Sequence, residues 1–256
     1  MGSDCPGGPG PALFLLLVLS PTILSSGSFL HQLPSWKDFH EGKHLQRRNA
    51  DLDTACRRPF NVFFVLDAST AMRNIWKEIY KYVDVIIQKY RNYCCKNHQF
   101  SFITYSTGAQ TLLELTSDRA AIQDGLNKLH GVAPAGNRDI DAGFAKANEQ
   151  IQKTNNNGLG AENLIIALVS GQLTPEVFQN VKVEVDKAEK MKTTVLGIAV
   201  KDYDKGQIQN IVKYRDLTYF ANGVKEMVEY NTSVAKHSCY KLMNLNTQYV
   251  CVGGKI

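Results

Sequence analysis

From residue 56 onward, short apolar runs alternate with stripes of apolar residues at helical spacing. NVFFVLD (61–67) is an unbroken apolar run ending in an acid, and predicts a buried strand. Ile75, Ile79, Tyr82, Val83, Ile86 and Tyr90 then recur at three- and four-residue steps, which predicts a helix with one apolar face. FSFITYS (100–106) and QTLLELT (110–116) flank a glycine-containing turn and predict a hairpin. Ile122, Leu126 and Leu129 mark a second helix, with Asp118 placed to cap it. Ile140, Phe144, Ala147 and Ile151 mark a third, ended by the polar turn NNNGLG (155–160).

The second half keeps the alternation. LIIALVS (164–170) is a continuous run suited to a strand covered on both faces. Pro175 opens a helix carrying Val177, Val181, Val185, Ala188 and Met191. There follow a strand at TTVLGIAV (193–200), a short helix at IQNIVK (208–213), a strand at LTYFA (217–221) and one last helix over 224–236. Strands separated by helices imply an α/β fold: a doubly wound, mostly parallel sheet with one antiparallel edge strand and helices on both faces. Such sheets bind ligands beyond the carboxyl ends of their strands, where the strand order reverses. Asp67 occupies such an end.

Composition narrows the class. At 256 residues and 44% hydrophobic, the chain is long enough for one sizeable core, and its net charge of +5 is modest. Basic residues are interspersed with acids, as in KVEVDKAEKMK (182–192), so no stripe suited to nucleic acid forms. PALFLLLVLSPTIL (11–24), followed by SSGS, has the length and small-residue exit of a secretory signal, although Lys and Arg are missing before it. Residues 1–27 are therefore expected to be a signal peptide and 28–55 a polar leader or linker, with no anchor in the chain. Asn231-Thr232-Ser233 is an N-glycosylation sequon, meaningful only on that route. Cys56, Cys94, Cys95, Cys239 and Cys251 remain once the signal is removed, an odd number that leaves one thiol free or paired outside the chain.

Enzymatic readings find no support in the motifs. There is no G-x-G-x-x-G or P-loop after a strand and no G-x-S-x-G elbow. His98, His130 and His237 lie in turn or helix-end contexts without metal-ligand spacing, and are read as solvated. The expected function is binding. No small-molecule substrate is expected.

A strand ending in Asp-x-Ser within such a fold resembles von Willebrand factor A domains. WKEIYKYVDVIIQKY (76–90), the stretch 101–129, DAGFAKANEQI (141–151), LIIALVSGQL (164–173) and the cysteines at 239 and 251 together resemble the anthrax toxin receptor family. The resemblance spans about residues 56–251. It implies a von Willebrand factor A-type domain over 56–239 and, at 240–256, the start of an Ig-like region that this chain does not continue. It also implies receptor-like adhesion to an extracellular matrix or cell-surface protein, on a single-pass membrane protein in the full-length form. A secreted decoy or a structural module without metal-dependent binding is the alternative. The resemblance further implies a Cys56–Cys239 bridge and a Cys251 whose partner lies outside the chain. Adjacent Cys94 and Cys95 depart from the family pattern, and could join each other only in a strained turn.

The family's adhesion site holds Mg2+ (or Ca2+ or Mn2+) through Asp-x-Ser-x-Ser, a threonine and a second aspartate. Asp67 and Ser69 match, but Ala71, Arg138 and Ser170 stand at the other three positions. Mg2+ demands near-octahedral oxygen donors. A guanidinium about 5 Å away would repel it by several kcal/mol at an effective dielectric near 20. No cofactor is therefore expected, unless Asp139 or Asp141 supplies the missing oxygen through a shifted loop. Toxin binding is not expected either. Asp67 is left with three readings: a residual metal ligand, a cap of its own loop, or the partner of an Arg138 that has replaced the metal.

Overall fold

The computed structural model describes residues 60–93, 98–156 and 160–242. Six strands form one sheet: β1 (Phe60–Asp67), β2 (His98–Ser106), β3 (Gly108–Thr116), β4 (Glu162–Ser170), β5 (Thr194–Val200) and β6 (Thr218–Ala221). Their order is β3-β2-β1-β4-β5-β6, and every neighbouring pair is parallel except the β2–β3 hairpin at one edge. The chain winds outward from β1 in one direction, then crosses to β4 and winds the other way. The reversal therefore lies between the carboxyl ends of β1 and β4.

The apolar runs explain this order. All eight residues of β1 are buried, and eight of the nine in β4, as expected of central strands covered on both faces. Side chains alternate between the faces. Phe64 meets Phe102 edge-on at 5.8 Å on one face, while on the other Val65 lies against Gly143. Helices α1 (Trp76–Tyr93), α2 (Arg119–His130) and α7 (Asn231–Leu242) pack together over the first face. α3 (Ile140–Asn156), α4 (Pro175–Lys190) and α5 (Lys205–Ile211) pack over the second. Each buried Phe, Ile or Leu contributes roughly 1.5–3 kcal/mol. A Cβ at Gly143 would come within 2.8 Å of Val65 Cγ1, so a glycine is what lets α3 lie this close to β1.

Caps fall where the sequence places them. Asp118 Oδ1 accepts from Ala121 N (2.6 Å) at the start of α2, and Thr174 Oγ1 from Val177 N (3.3 Å) before Pro175 in α4. Three expectations need correction. The helix at Ile75 is a 3-10 segment over Thr70–Ile75, and α1 begins only at Trp76. The final helix is two helices, α6 (Val224–Glu229) and α7. The Tyr230 hydroxyl, at the corner between them, donates its one hydrogen to Glu226 Oε1 (2.8 Å) or to Phe220 O (3.0 Å). His98 is not a solvated turn residue. It opens β2, is 5% exposed, and stacks on Phe100 at 6.0 Å with Phe60 and Tyr90 close by.

Burial in this aromatic cage, helped by the Arg91 charge, lowers the His98 pKa to about 4. The unfolded chain then binds a proton that the folded one refuses, so stability is lost as pH falls from about 6.5 towards 4. The loss across that window is on the order of 3 kcal/mol. Urea unfolding at pH 7.5 and pH 5 is expected to show a lower midpoint at pH 5. His98→Phe should remove most of the difference. An equal acid sensitivity in the variant would place its origin elsewhere.

Candidate functional site

Asp67 is the last residue of β1, on the flank of the reversal, and is fully buried. Its Oδ1 accepts from Ser69 N (2.8 Å), closing a tight turn at the strand end. Its Oδ2 accepts from both Ser170 N (3.2 Å) and Ser170 Oγ (2.5 Å), across the reversal at the end of β4. Burial raises the carboxyl pKa above its usual value, and the hydrogen bonds from Ser170 and Ser69 pull it partly back. The Tyr105 ring is buried beside it, with its hydroxyl donating to Leu168 O (2.8 Å). Burial, and then the Asp67 charge, hold that phenol well above its ordinary range.

The surrounding loops are tied to one another by their backbones. Ala68 N donates to Tyr105 O (2.8 Å), Ala135 N to Ala68 O (2.9 Å) and Thr70 N to Gly136 O (3.2 Å). Gly136 has φ +86°, and a Cβ there would sit 2.6 Å from Thr107 Oγ1. Asn137 N donates to that same hydroxyl at 3.0 Å. On the β4 side, Gly171 N donates to Lys201 O (2.9 Å), and the Gln207 amide clamps Leu173 N (2.8 Å) and Leu173 O (2.9 Å).

Of the residues singled out in the sequence, Asp67, Ser69, Ser170 and Arg138 come together, and Ala71 does not. Ser69 is buried and its Oγ has no partner. Ala71 is exposed in the 3-10 segment and offers no oxygen. Arg138 does not pair with Asp67, contrary to the third reading. Its Nη1 instead donates to Ser170 O (3.4 Å), and the guanidinium lies over Gly171. Gly171 has φ +61°, which favours glycine, and a Cβ there would stand 1.7 Å from Nη1, so the guanidinium would have to shift. Asp139 Oδ2 accepts from Gly108 N (3.4 Å) and serves the hairpin turn. Asp141 lies in the first turn of α3, with Oδ1 buried and unpartnered.

Mg2+ prefers six oxygen donors in near-octahedral array. Both Asp67 oxygens already accept hydrogen bonds, Ser170 brings no second carboxylate, and a guanidinium stands beside it. Among the described residues no group of three or more His, Cys, Asp or Glu side chains could hold a metal. The arrangement can instead brace a loop and present an arginine.

Cys56, Cys94, Cys95 and Cys251 lie outside the described residues. Cys239 is buried and disulfide-bonded. His130 is exposed, edge-on to Tyr80 at 4.9 Å, and His237 receives or donates a 2.8 Å bond with the Tyr219 hydroxyl. Asn231 begins α7 at 6% exposure, with Oδ1 buried and unpartnered. The sequence reading missed Gly171, Gln207 and Tyr105. A glycine following a strand was the one local sign, and it pointed to Gly171.

A mostly parallel sheet whose strand order reverses at an acidic strand end is a doubly wound fold. Residues 61–232 match the von Willebrand factor type A domain, and the chain belongs to that family. Similar solved structures include proximal thread matrix protein 1 from the mussel byssus with a zinc-occupied MIDAS motif. It is 18% identical, with a TM-score of 0.60, over 72% of this chain and 46% of that one. A pilus adhesin from Lactobacillus rhamnosus GG is 13% identical, with a TM-score of 0.60, over 72% and 30%. A von Willebrand factor type A protein from Catenulispora acidiphila is 12% identical, with a TM-score of 0.58, over 71% and 43%. The match spans less than half the length of each of these three proteins, and at these identities the likeness is one of fold.

Two outcomes follow. Asp67→Ala strands the Ser69 and Ser170 donors, and is expected to cost about 1–3 kcal/mol in chemical denaturation. An unchanged midpoint would show that these bonds hold nothing. The folded chain produced by a glycosylating host is expected to carry no glycan at Asn231. A mass shift at that residue on enzymatic deglycosylation would contradict its burial.

Proposed function

We propose that this chain is an extracellular, receptor-like adhesion domain of the anthrax toxin receptor type, binding a matrix or cell-surface protein at the carboxyl edge of its sheet without a metal ion. The observation that carries the reading is how Asp67 is engaged within the fold: Ser69 N, Ser170 N and Ser170 Oγ donate to its oxygens, and no second carboxylate stands beside it. The fold family supports a binding role, and the mussel matrix protein and the pilus adhesin lend it an extracellular, adhesive character. The apolar N-terminal stretch supports a secretory route. Among the described residues no helix is long and apolar enough to cross a membrane. Catalysis has no part in this reading.

Retention of the full chain on a surface coated with extracellular matrix tests the reading directly. Equal retention in Mg2+ and in EDTA is expected. No retention in either would overturn the adhesive role, and loss in EDTA would overturn metal independence. Calorimetric titration with Mg2+ provides the companion measurement: the parent is expected to be silent, and the combined variant Ala71→Ser, Arg138→Thr, Ser170→Asp to bind. Heat of binding in the parent would mean that an oxygen from Asp139 or Asp141 completes the site.

A further inference from the structure

Arg138 is half-buried, and its one hydrogen bond is a 3.4 Å contact from Nη1 to a backbone carbonyl. Among the described residues no carboxylate pairs with it. A guanidinium has five N–H donors in a planar fork, so the remaining donors are open to a ligand. The seat is rigid. Gly171 admits the group, Gln207 clamps the Leu173 backbone, and Thr174 caps α4 immediately behind.

The guanidinium opens into a cleft of about 380 Å³, whose walls include Leu173, Val177, Thr174, Asp139 and Glu176. This lining is selective. Asp139 and Glu176 repel a ligand of high negative charge, while the apolar wall and Thr174 suit a peptide backbone with a short side chain. One carboxylate is attracted by Arg138, and a cation next to it is attracted by the two acids.

We propose that Arg138 and this cleft form a metal-free receptor for a peptide segment carrying a single carboxylate beside a basic residue. The proposal rests on the carboxyl edge being the binding edge, as argued above, and names what that edge recognises. Arginine and carboxylate would meet in a bidentate pair, which lysine at the same position could not reproduce.

The test is an NMR titration of the isotope-labelled full chain, in EDTA, with N-acetyl-glycyl-aspartyl-lysyl-glycyl amide. Saturable shifts at the Gly171, Thr174 and Val177 amides and at the Arg138 side chain are expected. Replacing aspartyl by asparaginyl in the peptide, or Arg138→Gln in the protein, should weaken binding at least tenfold. Arg138→Lys should fall between parent and glutamine variant. Glu176→Gln should weaken the lysyl peptide more than a peptide with alanyl in its place. Inorganic phosphate should bind more weakly than the lysyl peptide. An absence of shifts, undiminished binding to Arg138→Gln, or tighter binding of phosphate would overturn the proposal. Matrix retention together with an Arg138-independent peptide response would defeat this inference alone. An Arg138-dependent peptide response without matrix retention would defeat only the adhesive role.

Discussion

The carboxyl edge of this sheet is organised by one buried carboxylate. Removing Asp67 from water carries a cost that raises its pKa, and the fold meets that cost with donors drawn from two different strand ends. One oxygen closes the turn after β1 and the other reaches across the reversal to Ser170. The bond to Ser170 adds a side-chain tie to the β1–β4 ladder, at the end where the strand order reverses. The loops beside it are bonded to one another. Ala68 then bonds to Tyr105 and Ala135, and Thr70 to Gly136. Arg138 in turn bonds to the carbonyl of the residue that holds Asp67.

Much of the fold is legible in the chain because its signals are local. Unbroken apolar runs at 61–67 and 164–170 mark central strands, and both are buried along their length. Asp118 and Pro175 mark helix starts through backbone chemistry that acts within a few residues. The misreadings have non-local causes. His98 follows a polar stretch and resembles a turn residue, yet aromatic rings from α1, β1 and β2 enclose it. The break at Tyr230 falls where a hydroxyl reaches back towards β6, which helical periodicity cannot register.

The site was legible as a set of positions but not as a set of partners. Asp67, Ser69, Arg138 and Ser170 do converge. Pattern alone could suggest an Arg138–Asp67 pair, but the aspartate is already satisfied by hydroxyl and amide donors. The arginine's place depends on the absence of a side chain at Gly171, and the stiffness of that strand end on Gln207, thirty-four residues beyond the loop it clamps. Neither contact has a sequence spacing that would identify it.

The three donors on Asp67 also bear on what single substitutions at this edge would do. A Ser170→Asp change alone would set two carboxylates together with no ion between them, a like-charge conflict in a buried place. An Arg138→Thr change alone would remove a packed cation and bring no ligand with it. Each single step towards a cation-binding edge passes through a less favourable protein, and the steps reward one another only when taken together. Substitutions at Ser170 and Arg138 are therefore expected to act non-additively, because the two residues share one set of contacts.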